Sequence, residues 1–201
     1  MTPRNVFINC PFSPDYLDHF RAITFTVIRS GFEARCAQEH DDASEVRYDK
    51  ICRIIRDCGF GIHDISKTEL DADSHLPRFN MPFELGLFLG AIKFGPRSIS
   101  GKKTMVLDRE PYRYQKFLSD IGGQDIHCHH GKVDTLIGKV ATWLRDHGPT
   151  PKVPGGAQIA TEFRAFTAAV PLLCATLRLQ QDELTFRDYR AMAAEWIKDA
   201  T

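Results

Sequence analysis

Apolar positions along this chain alternate between two periods. Residues 4–10 form a short apolar run suited to a buried parallel strand, and Pro11, Phe12, Ser13 and Pro14 turn the chain after it. Over residues 15–29 the apolar positions Leu17, Phe20, Ile23, Phe25, Val27 and Ile28 recur at helical spacing, and Ser30-Gly31 closes that helix. Residues 32–37 predict a second strand. Residues 44–58 predict an amphipathic helix with Val46, Ile51, Ile54 and Ile55 inward, stopped by Gly59. A third strand at 60–65 is followed by a long polar loop and a helix at 81–94. A fourth strand at 104–108, a short helix at 112–121, a fifth strand at 125–129 and a helix at 133–147 complete the series.

Strands alternating with helices imply parallel pairing through right-handed crossovers. The expectation is an α/β fold, a flavodoxin-like three-layer sandwich whose five-stranded parallel sheet runs in the order 2-1-3-4-5. Ligands of such sheets bind beyond the carboxyl ends of the strands, which here carry Asn9, Asp64 and Asp108. Residues 148–156 (GPTPKVPGG) hold three prolines and three glycines and break the pattern. The chain therefore divides into an α/β domain at 1–147, a linker at 148–157 and a C-terminal helical hairpin at 158–201, with helical patterning over 157–179 and 182–198. Its apolar stripes (Phe163, Phe166, Val170, Leu173, Leu177; Phe186, Tyr189, Met192, Trp196) need a partner surface, on the same domain or on a second subunit of a homo-oligomer.

Composition narrows the function classes. The 26 Lys and Arg balance 26 Asp and Glu, and no basic run offers a footprint for nucleic acid or an anionic membrane. No apolar run approaches the ~20 residues of a membrane span, and the N-terminus lacks a signal-peptide pattern, so a cytoplasmic location is expected. The six cysteines form no CxxC pair and read as buried, reduced thiols. Residues 127–130 (HCHH) invite a metal, but neighbouring strand residues point to opposite faces and cannot converge on one ion. No metal is expected, and no Walker or GxGxxG loop is present for ATP hydrolysis or a dinucleotide cofactor.

The segment 61–91 (GIHDISKTELDADSHLPRFNMPFELGLFLGA) carries the candidate chemistry. Asp64 ends a strand, and Glu84 is a lone carboxylate in an apolar helical segment, read as its first turn. Two such acids at one end of a sheet suit work on a sugar and its glycosidic bond. Each has a plainer reading: Glu84 as a carboxylate complementing the helix dipole, Asp64 as a turn residue. His63 alternates away from Asp64 and is expected to pack against a helix. Asn80 either caps the helix before Pro82 or faces the ligand. Asp108, Arg109 and Glu110 follow the fourth strand, and Arg78 and Arg109 suit a phosphate better than an uncharged nucleoside.

The Asn-Cys-Pro-Phe turn after the first strand, HDIS at the end of the third and RFNMPFELGLFLGA opening the next helix together resemble the nucleoside 2-deoxyribosyltransferase-like proteins, which are similar in architecture to TIR domains. The resemblance spans residues 4–147. It implies that Glu84 is the nucleophile at the sugar carbon, that Asp64 contacts or protonates the departing base, and that Asn9 and Phe12 line the nucleoside pocket. The chain departs from the deoxyribosyltransferases at Phe79, Asn80, Met81 and Pro82, where those enzymes carry a small Gly-Thr-type pair. The implied activity is an N-glycosidic bond hydrolase or transferase with a nucleoside or nucleotide substrate, and NAD is the substrate if the TIR side is nearer. By analogy such an enzyme suits bacterial defence or stress. The rival reading is a non-catalytic nucleotide-binding or signal-sensing module.

Overall fold

The computed structural model describes residues 4–39, 42–71, 75–96, 101–148 and 152–200. Five strands, β1 (Asn5–Asn9), β2 (Glu33–Arg35), β3 (Phe60–Asp64), β4 (Lys103–Asp108) and β5 (Ile126–Cys128), form one parallel sheet in the order β2-β1-β3-β4-β5. Central β3 is buried along its whole length, as a strand covered on both faces must be. The flavodoxin-like α/β architecture read from the periodicity is the one observed.

Helices α1 (Leu17–Arg29) and α4 (Val133–His147) cover one face, packing on Val6, Ile8, Ile62, Met105 and Leu107. Helices α2 (Arg47–Asp57) and α3 (Asn80–Phe94) cover the other, where Phe7 meets Ile51, Ile54, Ile55 and Phe88. Buried Lys102 donates to the carbonyls of Ile55 (2.8 Å), Arg56 (3.1 Å) and Cys58, closing the carboxyl end of α2.

The hairpin, α5 (Gly156–Thr176) and α6 (Phe186–Asp199), adds a fourth layer outside α1 and α4. That layer explains why α1 is apolar on more than one side: Phe25 faces Phe166, Phe163 and Trp196 with ring centroids 5.3, 5.7 and 6.0 Å apart. Thr24 and Thr26, buried between layers, return their hydroxyls to Phe20 and Ala22 carbonyls. Arg29 grips Glu162, Tyr189 donates to the Arg21 carbonyl, and Arg190 to that of Ala34. A Cβ on Gly156 would fall 2.5 Å from the Gly138 Cα, so α4 and α5 touch backbone to backbone. Among the described residues α5 alone is long and apolar enough to cross a membrane, and it spends its apolar side on the packing just given.

Four local expectations differ from the structure. Residues 112–121 form two 3-10 turns, Arg113–Lys116 and Ser119–Ile121, rather than one helix. Helix α2 starts at Arg47 because an Asp42 turn, accepting the Ser44 N–H at 2.9 Å, occupies the chain before it, which leaves Val46 exposed at the N-cap. Helix α6 starts at Phe186 because Thr185 and Asp188 make a capping box. Of the linker, residues 149–151 lie outside the described residues, while Val153 is buried in the core.

Because Phe166 is fully buried where the fourth layer meets α1, Phe166→Ala should lower the stability of the whole molecule by roughly 3–5 kcal/mol. Calorimetry checks this: one cooperative transition moving down is expected, whereas a separate hairpin transition with the main one unmoved would make the layer an independent unit.

Candidate active site

Strand order reverses between β1 and β3, and the chain leaves β1 toward α1 on one face but β3 toward α3 on the other. That switch point opens a crevice at the carboxyl edge. Its cleft of about 240 Å³ is lined by the turn after β1 (Pro11, Phe12, Ser13) and by Lys67, Glu69, Leu70, Asp71, Arg78 and Met81 after β3. A larger groove of about 980 Å³ runs beside β5; His127 and Cys128 of the HCHH run line it, but none of the acids, arginines or asparagines proposed for the site does.

Asp64 faces the α1–α4 side, in register with core residue Leu107, and is fully buried. Every polar neighbour donates to it: the Tyr16 hydroxyl, the Ser66 N–H at 2.8 Å and His129 Nε2 at 3.1 Å. The Gly131 N–H donates to His129 Nδ1 at 3.1 Å, which leaves Nε2 as the nitrogen that donates to Asp64. Burial pushes the Asp64 carboxyl up, but the hydrogen bond and charge of His129, followed by the hydrogen bonds from Ser66 and Tyr16, outweigh it and hold it below the ordinary carboxylate range. The Ser66 hydroxyl lies 2.8 Å from that same Nε2, so this trio lacks the opposed nitrogens of a Ser-His-Asp relay.

Glu84 stands on the opposite face. It is the fifth residue of α3, past the first turn in which the helix dipole acts strongly. Only 6% of it is exposed, and no hydrogen bond reaches its carboxyl among the described residues. Burial raises its pKa to about 7, opposed only by the charge of Arg47. The reading of Glu84 as a first-turn carboxylate complementing the helix dipole is therefore corrected, because it lies past that turn and burial dominates its pKa. The expectation of two carboxylates in one pocket is corrected too: alternation on β3 turns Asp64 to one face while α3 carries Glu84 on the other. Cys10, at the end of β1, lies within the field of both; burial, then the charges of Asp64, Cys36 and Glu84, lift its thiol far above the ordinary range.

The other candidates divide between structure and rim. Asn9 donates to His63 Nδ1 (3.0 Å) and the Met81 carbonyl (2.8 Å), so its amide faces inward and ties β1 to α3. His63 packs edge-on against Phe88 of α3, and burial lowers its pKa to about 3. Phe12 lines the cleft, backed edge-on by Phe20 at 5.1 Å. Arg78 is exposed on the cleft wall, 3.6 Å from Asp71. Asn80 is an exposed first helical residue; Phe79 takes the N-cap without a side-chain bond, so Asn80 does not cap α3. Asp108 is buried and held by Arg113 at 2.7 Å, with Oδ2 unpartnered among the described residues; burial raises its pKa despite Arg113. Arg109 pairs with Glu69 and, at 3.4 Å, Glu110.

Sequence reasoning missed Tyr16, Ser66, Arg113 and Arg47, and weighed His129 only as a metal ligand within residues 127–130. For Arg47 a signal existed: in this topology every helix after a strand starts at the carboxyl edge, so the first residue of α2 had to lie there. No family model, no curated protein and no solved structure matches the chain.

The two acids should respond oppositely to neutralisation. Glu84 has a folded pKa raised from 4.5 to about 7, so its contribution is full below pH 4.5 and lost as pH rises through 7. At ~1.36 kcal/mol per unit, the stability difference between Glu84→Gln and the parent should shift by roughly 3 kcal/mol toward the variant from pH 4.5 to pH 8, read by denaturant melts. A pH-independent difference would return Glu84 to an ordinary carboxylate pKa. The Asp64 pKa is lowered instead, so its contribution is present above the unfolded value of 3.8 and lost as pH falls through the folded one. Asp64→Asn should cost roughly 2–4 kcal/mol at pH 7, because its amide N–H₂ would face donors; an unchanged melt would remove the network from the fold's essentials.

Proposed function

We propose that the chain cleaves or transfers at the N-glycosidic bond of a nucleoside or nucleotide, with Glu84 as the carboxylate that meets the sugar carbon. The observation that carries this reading is a carboxyl 6% exposed, without a hydrogen bond among the described residues, beside the switch-point crevice and one helical turn from Met81 of the cleft wall. A purely structural acid in such a place is expected to be paired, as Asp64 is. An oxocarbenium-like sugar supplies the positive charge that favours ionised Glu84, so the anion is best held as the glycosidic bond breaks. Asp64, an anion with donors on both oxygens, has no proton for a departing base. A base that leaves without protonation, such as the pyridinium of NAD, suits this site better than a neutral purine does.

Incubation with a panel of nucleosides, nucleotides and NAD, followed by chromatography for free base, tests the reading. Base should be released, with kcat/KM falling below about pH 7 as Glu84 takes up its proton. Glu84→Gln should cut turnover by roughly 10²–10⁴. Intact substrates throughout would assign the fold to a nucleotide-binding module instead.

A further inference from the structure

Most cations around the crevice are already engaged. Lys67 holds Asp15 at 2.7 Å, Arg78 faces Asp71, Arg109 holds Glu69, and Arg113 holds Asp108. Arg78 and Arg109, the residues expected from the sequence to take a phosphate, would have to release a carboxylate first. Arg47 is different. It is exposed, opens α2, and makes no hydrogen bond or ion pair among the described residues. Its charge nevertheless acts on Glu84.

We infer that Arg47 is the phosphate-recognising residue of the Glu84 site, which makes the ligand a nucleotide rather than a nucleoside. The assignment rests on the proposed role of Glu84. The ring contact between Tyr48 and Phe83, the neighbours of Arg47 and Glu84 in the chain, sets the start of α2 against the first turns of α3, so one ligand can reach both the guanidinium and the carboxyl. The cationic end suits a phosphate through two N–H donors, and the buried acid suits sugar hydroxyls and the reacting carbon. The N-cap of α2 is Val46, whose side chain cannot satisfy the first-turn N–H groups, so the helix dipole adds to the arginine at the same point. Tyr48 follows Arg47 and Phe83 precedes Glu84, each about half exposed (50% and 54%), with centroids 6.3 Å apart. They offer π-faces to a planar base beside the two polar groups.

The test uses the full chain with AMP, CMP, GMP, UMP and nicotinamide mononucleotide, each against its parent nucleoside, and calorimetric Kd values. The parent protein should bind at least one monophosphate roughly 10- to 100-fold tighter than its nucleoside, the worth of a charge-assisted hydrogen bond. Arg47→Ala should abolish that preference and leave nucleoside binding unchanged, while Arg109→Ala should keep it. A preference that survives Arg47→Ala, or equal binding of nucleotide and nucleoside by the parent, would overturn the assignment. Free base in the same samples reports separately on the reaction: Arg47-dependent binding without base release removes the glycosidase reading and leaves Arg47 as the phosphate residue.

Discussion

The buried Asp64 carboxylate organises the carboxyl end of this sheet. It sits on the last residue of the central strand and draws donors from three separate segments: Tyr16 before α1, Ser66 in the loop after β3, and His129 in the turn before α4. An ionised group in a dry interior is tolerated only when its lone pairs are filled, so these segments cannot separate without stranding a charge. The crevice walls are thereby set. The turn after β1 is tethered through Tyr16, and Lys67 reaches back across the mouth to Ser13 and Asp15.

Against that anchored anion, Glu84 is a contrast in the same few turns of chain. Both acids are buried, but Asp64 meets three donors and falls in pKa, while Glu84 meets none among the described residues and rises to about 7. Burial alone does not decide protonation; the supply of donors does. The cost of leaving Glu84 unpartnered falls on the fold, and such a cost is borne where a ligand completes the environment. Asn9 supports the arrangement from below, since its amide fixes the start of α3 to the end of β1 and so sets where Glu84 stands.

The outer helical layer makes the molecule more than a three-layer sandwich. With α5 and α6 in place, α1 is enclosed between the sheet and a second helical layer, and the Phe25, Phe166 and Trp196 rings form a joint core. The crevice therefore rests on a helix braced from both sides.

Much of this was legible from residue order. Period and turn chemistry determined five parallel strands, their order, the crevice edge and the hairpin, because periodicity and chirality are local and additive. The segment 61–91 also marked Asp64 and Glu84 as unusual, since acids in apolar runs stand out in any reading. Which face each acid takes depended on one residue of alternation and on where α3 begins. Their protonation depended on partners far away in the chain: Tyr16 lies 48 residues from Asp64. The pairing of Arg78 and Arg109 with nearby acids, and the lack of a partner for Arg47 among the described residues, were likewise settled only by tertiary packing. Local sequence specifies which groups are present and on which element, but the dielectric and donors around a charge come from segments that only the folded chain brings together.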